Sequence, residues 1–454
     1  MAIASDGPTT AESALPPGLR LPVLLQTLLF GQVRSWLLPV LRRRYGDVFT
    51  MRIAPTGRLV VLLARPADIR TVFTGPATVF HAGEGNAILG PVMGEHSVLL
   101  VDEDKHRRVR RLLMPAFHGT ALRGYQDLVS RLAVAEVDRW PTGRTFRAHE
   151  RMNALTLEII LQVVFGVTDR ARLATLRPLV RGIVAIGPMI MLGWFYPRLQ
   201  GIGPWKRYMT FQRELDRVLY AEIAERRRAD DLADRDDVLS RLLRTDGAAT
   251  PDEDAPNEHD AGLTDAELRD QLITLLLAGH ETTATTLAWC LHELARRPAQ
   301  LAAAQRAADE HDDEYLSAVA KEALRKRPVI YEVARRLTRP VDIAGYRIPA
   351  GSVVAPAIGL VQTDPANYPE PDEFRPERFI GTQPAANTWI PFGGGVRRCL
   401  GAGFSLMEAS VVLGEVLRRY DVAPDRSRPE GQRARNITLV PARGARITVT
   451  PRSV

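Results

Sequence analysis

Only two of the 454 residues are cysteine, Cys290 and Cys399, and neither a Cys-x-x-Cys pair nor a Cys/His cluster at zinc spacing occurs. A disulfide framework and a zinc finger are thereby excluded. A reducing cytoplasm is the expected compartment, where each thiol is either a small buried apolar group or a chemically used one. A strong charge of one sign is also missing: 60 Lys and Arg against 53 Asp and Glu leave a formal +7. That bias is too diffuse to argue for nucleic acid, which needs a basic stripe interleaved with aromatics; docking of an acidic protein explains it equally well. Long apolar runs are absent too. The uncharged run Leu21 to Val33 is shorter than the roughly 20 residues a span needs, and Pro22 and Gly31 interrupt it. A second run, Gly182 to Pro197, contains Gly187, Pro188 and Gly193. Asp6 and Glu12 precede any base, so the start lacks the basic region of a secretory signal. No transmembrane anchor is expected.

What remains is ordinary globular material: 45% hydrophobic and 25% charged residues, enough for a large buried core. Residues 1–20 read as a flexible tail, and 21–454 as a single domain. Asp47 to Ile53 and Arg58 to Leu63 flank Pro55, Thr56 and Gly57, the pattern of a β-hairpin. From about 104 to 245 amphipathic helices follow one another, among them His106 to Met114, Ala154 to Phe165 and Tyr208 to Arg228. An acidic loop is expected over 244–262. Thr264 with Glu267 forms a capping box, and no proline follows until Pro298, so one helix can run about 33 residues, or roughly 50 Å. Beyond it come short strands such as Val341 to Ile348, irregular Pro-rich chain over 363–391, a helix from near Gly401, and a closing hairpin of Ile437 to Val440 and Ile447 to Thr450.

The most informative stretch is Phe392-Gly393-Gly394-Gly395-Val396-Arg397-Arg398-Cys399-Leu400-Gly401. Here a cysteine follows three glycines and precedes a helix. Glycines admit backbone N–H groups close to a sulfur, and the helix N-terminus adds positive potential, so thiolate is favoured over thiol. A thiolate held this way is a metal ligand or a nucleophile. A phosphate loop is disfavoured because Gly-x-x-x-x-Gly-Lys-Ser/Thr is absent, and no cysteine-protease signature surrounds Cys399.

These residues resemble the cytochrome P450 family of haem-thiolate monooxygenases, whose Phe-x-x-Gly-x-Arg/His-x-Cys-x-Gly segment reads here as Phe392, Gly395, Arg397, Cys399 and Gly401. Cys-thiolate ligation of haem iron is the known chemistry of that family. Further motifs occur in the family's order. Glu322 and Arg325, followed by Arg378, resemble its three-way Glu/Arg/Arg network, a structural lock on the cysteine loop. Ala278-Gly279-His280-Glu281-Thr282-Thr283 lies mid-way along the long helix, where Gly and repeated Thr are poor helix formers. Gly279 can admit a ligand to the backbone, and the Thr282 hydroxyl can loosen the ladder; by resemblance this segment faces oxygen, with Glu281 and Thr282 relaying protons. His106 and Arg110, one helical turn apart, together with Arg335 and Arg397, are the groups that the resemblance assigns to the haem propionates, Arg being suited to bidentate carboxylate binding. Arg107, Arg108, Arg111 and Arg398 are candidates for a face on which an electron donor docks. Phe392, Gly393, Ala278 and Gly279 complete the expected cofactor contacts. Cys290 reads as a buried filler, and His280 as a variable position turned away from iron.

The resemblance implies a mainly α, triangular-prism fold with a small β-rich lobe, haem b between the long helix and the Cys399 loop, and insertion of one atom of O2 into a substrate. Electrons would come from NAD(P)H through a separate ferredoxin reductase and ferredoxin. Pocket walls are expected from Phe80 to Leu100, Ile183 to Tyr196 and Val329 to Val333, whose apolar character fits a fatty acid, steroid or terpenoid. Peroxide-driven or rearrangement chemistry on the same fold, and a haem-binding sensor, are the alternatives.

Overall fold

A computed structural model of the protein describes residues 15–166, 169–184, 197–247 and 262–452. Residues 1–14 of the expected tail, most of the 244–262 loop and most of the Ile183 to Tyr196 wall therefore lie outside the described residues. From Pro16 onward the chain is already tied to the fold. Thr50 donates its N–H to Pro17 O at 2.8 Å, and Leu19 returns one to Thr50 O at 3.1 Å, so the ordered pairing begins before residue 21.

The architecture is mainly helical with small sheets. Its axis is the helix Asp265–Leu294, opened by the expected capping box: Glu267 N–H donates to Thr264 Oγ1 at 3.2 Å and Thr264 N–H to Glu267 Oε2 at 2.8 Å. The helix stops after 30 residues, short of Pro298, because the residue before a helix-starting proline is pushed out of helical geometry. It packs along the helix Ala148–Phe165. Gly279 makes that approach possible, since a Cβ there would stand 2.8 Å from Ile160 Cδ1. Most of its length is buried, including Trp289 and Cys290, so Cys290 sits among apolar neighbours as its sequence context implied.

The β-rich lobe is a five-stranded sheet in the order Val48–Ile53, Arg58–Leu63, Val353–Pro356, Arg335–Leu337, Phe80–His81. The first two form the expected antiparallel hairpin, with Val48 opposite Leu63. Val341 to Ile348 is two strands rather than one, Val341–Ile343 and Tyr346–Ile348, reversed at Ala344 (φ 55°) and Gly345 (φ 83°), the two positive values that a tight hairpin turn demands. The closing hairpin needs a larger correction. Thr438–Pro441 pairs with Gln432–Arg435, whereas Arg446–Pro451 inserts between Thr145–Arg147 and Tyr420–Pro424. The turn through Gly444 (φ 86°) and Ala445 (φ 51°) carries the chain from one sheet to another, and alternating apolar residues alone could not say which partners they met.

The N-terminal helix Val23–Tyr45 also departs from expectation. Pro22 is its N-cap rather than an interruption, and the helix continues past Gly31 and a kink at Val33 to Tyr45. It is long and apolar enough to cross a membrane by length and composition, yet Arg34, Leu37, Leu38 and Leu41 are buried in the protein.

The last helix, Ala402–Arg419, is docked among several others. It buries Glu408 completely, with neither carboxylate oxygen hydrogen-bonded. Burial holds this carboxyl well above the usual range, hence neutral. An acid whose folded pKa is raised contributes stability that is full below its unfolded pKa and is lost as pH rises, about 1.4 kcal/mol per pH unit until the folded pKa is reached. Glu408→Gln removes this dependence. Urea unfolding at pH 5 and pH 8 should show a stability loss in the wild type that shrinks in the variant; an equal loss in both would place the titration elsewhere.

Candidate active site

Cys399 lies at the end of the irregular 363–398 segment, immediately before the helix Ala402–Arg419. Its N–H donates to Phe392 O at 2.8 Å, closing the loop, and the Phe392 ring meets Trp389 edge-on at 5.8 Å. Gly393 and Gly395 have φ of 66° and 64°, accessible to glycine at little cost. The glycines serve packing more than the sulfur does: a Cβ at Gly394 would sit 2.3 Å from the Phe73 ring, and one at Gly395 would sit 2.0 Å from Phe73 O. The loop is thus pressed onto the helix Pro66–Thr74.

The Cys399 sulfur is deep in the protein but its side chain keeps accessible surface. Burial pushes the thiol pKa up, against the Gly401 N–H and the Arg110 and Arg398 guanidiniums, which pull it down. The expectation that loop and helix alone favour thiolate is therefore corrected, because desolvation outweighs them. A metal cation at the sulfur is what reverses that balance.

Above the sulfur-bearing loop, Thr283 Oγ1 and Ser405 Oγ are 3.1 Å apart and join the central helix to the last one. Between Leu268 and Ala295 a single residue of the central helix is exposed, Ala278; Leu275, Gly279 and Thr282 beside it are partly so. These four share one face by their spacing of three and four. Thr282 Oγ1 donates to Ala278 O at 2.8 Å, and Thr285 and Thr286 bond back likewise to Glu281 O and Thr282 O. The helix stays continuous despite this weakening of its ladder. His280 is buried, its Nδ1 2.8 Å from Leu276 O. Glu281 is buried on the side of the C-terminal hairpin: Thr438 Oγ1 donates to its Oε1 at 3.3 Å, and Arg435 Nε stands 3.4 Å from it. Burial raises its pKa, with Arg435 opposing.

The bases converge. His106 is buried, and its pKa falls to about 3, first through burial and then through the neighbouring Arg397 and Arg110, with Arg335 adding to them. Arg335 and Arg397 are each lowered to about 10, chiefly by burial. Asp102, the one carboxylate facing this group among the described residues, pairs with Arg397 and also accepts from Gly83 N–H at 2.9 Å and Glu84 N–H at 3.0 Å. Arg397 further donates to Val98 O and Val101 O. Three arginines and a histidine against one acid form a site for an anion, and the two carboxylates of a haem fit it. Asp102 escaped the sequence reading; its only signal was an acid at the N-cap position before His106.

Two of the three residues expected to form a lock, Glu322 and Arg325, meet in a buried pair. Arg325 Nε donates to Glu322 Oε2 at 2.6 Å and Nη2 to Oε1 at 2.8 Å, with both side chains fully buried. Arg325 also reaches Gln362 O, Pro371 O and Glu373 O. Arg378 Nε is 3.6 Å from Glu322 Oε1. Gln362, which no motif marks, bonds Leu324 O and receives the Ile390 N–H at 3.0 Å.

With fold and site described, comparison gives the family. Residues 15–449 match the cytochrome P450 family profile, and the chain belongs to that family of haem-thiolate monooxygenases. It is 49% identical to cytochrome P450 135A1 of Mycobacterium tuberculosis over 98% of this chain and 97% of that one. It is 45% identical to cytochrome P450 135B1 of Mycobacterium bovis over 97% and 92%. Neither name states a substrate. The fold is similar to that of retinoic acid bound cyanobacterial CYP120A1, with TM-score 0.82, 21% identity, and 97% of this chain and 100% of that chain covered; the mainly α architecture is the P450 fold.

Removing one partner of a fully buried pair strands the other charge, so Glu322→Ala should cost about 3–5 kcal/mol in urea unfolding. Arg378→Ala, at the longer contact, should cost about 1–2 kcal/mol. Equal costs would contradict the placement of the lock in the Glu322–Arg325 pair.

Proposed function

We propose that the protein is a cytoplasmic monooxygenase that inserts one oxygen atom from O2 into a hydrophobic small molecule of fatty acid, steroid or terpenoid type, with residues 21–454 acting as one catalytic domain. Electrons come from NAD(P)H through a separate ferredoxin reductase and ferredoxin. The observation that carries the reading is the gathering of His106, Arg110, Arg335 and Arg397 against a single carboxylate, Asp102, beside the Cys399 thiol.

Cys399 would hold the iron of haem b, and His106, Arg110, Arg335 and Arg397 its propionates, with Gly401 N–H directed at the sulfur. When bound, haem supplies oxygen activation. The chain's own residues do the rest. His106, neutral at pH 7 given its lowered pKa, donates one ring N–H without adding a fourth positive charge to the three arginines. Ala278, exposed on the accessible face, keeps that stretch of the central helix free of bulk, while Gly279 lets Ile160 pack beside it. Thr282 lies on that same accessible face with its hydroxyl proton donated to Ala278 O, which leaves the oxygen lone pairs to accept a hydrogen bond and position a proton-bearing group there. Glu281 is held by Thr438 and Arg435, and burial raises its pKa against the pull of Arg435, the direction that suits a carboxyl taking up and returning protons. Apolar Leu89, Leu99 and Val333 on the described wall segments are partly buried, in keeping with an apolar substrate. Glu322, Arg325 and Arg378 support the loop and take no part in the chemistry.

Thr282→Ala should therefore lower product formed per NAD(P)H consumed by about tenfold or more while peroxide accumulates, since loss of a positioned proton donor is worth that much. Coupled turnover assayed by product, NAD(P)H and peroxide checks this, and undiminished product would contradict the role given to Thr282.

A further inference from the structure

The N-terminal helix Val23–Tyr45 turns two polar residues inward and several large apolar ones outward. Gln26 and Arg34 are buried. Gln26 Oε1 accepts the Arg52 N–H at 2.8 Å, Thr27 Oγ1 accepts the Ala54 N–H at 2.8 Å, and Arg34 Nη2 donates to Ile437 O at 2.7 Å, with Glu332 Oε1 3.5 Å from its Nε. Leu29 and Phe30 pack against the core and Leu37, Leu38 and Leu41 are buried in it, but other large apolar residues face outward. Leu24 is 71% exposed, Leu28 63% and Trp36 66%, joined by Leu21, Leu25, Val33 and the adjoining Ile437. Leu24, Leu25 and Leu28 recur at three and four residues and so form one face, with Leu21 exposed just before the helix begins. A contiguous apolar surface of this kind marks contact with another apolar phase.

The charges around it have one sign. Residues 13–46 contain no Asp or Glu but five arginines. Arg34 is engaged inside, and Arg42 pairs with Asp47 and Asp364. Arg20, Arg43 and Arg44 are exposed, as is Arg52 on the adjoining hairpin. A second copy of the chain would bring these arginines against their own equivalents, which opposes a two-fold contact. Anionic headgroups complement them.

We propose that this face docks on an anionic lipid surface, with Leu24, Leu28 and Trp36 entering the interface and Arg20, Arg43, Arg44 and Arg52 meeting headgroup phosphates. The helix lies along the surface rather than spanning it, because leaving the protein would strip the bonds of Gln26 and Thr27 and bare Arg34, Glu332, Leu37, Leu38 and Leu41. The inference stands apart from the haem reading, and its test needs no turnover.

The test is co-sedimentation of the full-length holoprotein with phosphatidylcholine vesicles and with vesicles also containing phosphatidylglycerol. Binding should strongly favour the anionic vesicles and weaken with salt. The combined change of Leu24, Leu28 and Trp36 to Ser, all at exposed positions, should abolish it, and Arg43→Ser with Arg44→Ser should lower it roughly tenfold or more. Independently, the emission difference between wild type and Trp36→Phe should shift to the blue on adding the anionic vesicles. Four outcomes would overturn the proposal: no binding, binding indifferent to lipid charge, binding unchanged in the triple variant, or a lipid-free dimer that the triple variant dissolves, which would assign the face to a second copy. A Trp36 emission already blue and shielded from quencher in the lipid-free monomer would also do so.

Discussion

Two opposite charges with no access to solvent, Glu322 and Arg325, are the contact on which the rest of the site depends. Burying a carboxylate and a guanidinium costs several kcal/mol each unless every hydrogen-bonding group finds a partner. Here the pair is bidentate, and the remaining donors of Arg325 go to the carbonyls of Gln362, Pro371 and Glu373, with the Tyr368 ring 5.2 Å from the guanidinium. The chain from 363 to 391 has almost no regular structure of its own. It takes a fixed course because its backbone oxygens satisfy a buried cation, and Glu322 Oε1 accepts the Arg375 N–H as well. That course leads to Cys399 and on to the last helix, whose Ser405 meets Thr283 in the middle part of the central helix.

The electrostatics of the site then divide into two halves. On the cysteine side, burial and mutual repulsion weaken every base: His106 is neutral, and Arg335 and Arg397 fall to about 10. Such a group of like charges is costly alone, and an anion bound beside it would relieve that cost. On the helix side, Glu281 has the reverse problem. Its carboxylate is desolvated, which raises its pKa, and is only partly compensated by Arg435. The site thus carries a cluster of cations at one edge and a buried carboxyl at another.

Much of this was legible in the sequence because it rests on local spacing. The capping box at Thr264 and Glu267, the hairpin around Pro55 to Gly57, the Glu322–Arg325 turn and the grouping of His106 with Arg110 each involve residues close in the chain. What was not legible depends on partners far away. The strand Arg446–Pro451 alternates like half of a hairpin, but which edge it joins is decided by the packing of residues 145–147 and 420–424. The glycines of the cysteine loop were read as openings for the sulfur, whereas Phe73, over 300 positions earlier in the numbering, occupies the space. Gly279 likewise answers to Ile160. Asp102 and Gln362 carry no motif, and their importance appears only when the chain folds Val98 and Leu324 beside them.

The most direct test of the central claim is the absorption spectrum of the dithionite-reduced protein with and without carbon monoxide, for wild type and Cys399→Ala. The account predicts a strongly red-shifted Soret band in the wild type that is absent from the variant, as thiolate ligation requires. A carbonyl spectrum untouched by the substitution, or no haem in the wild type, would contradict it.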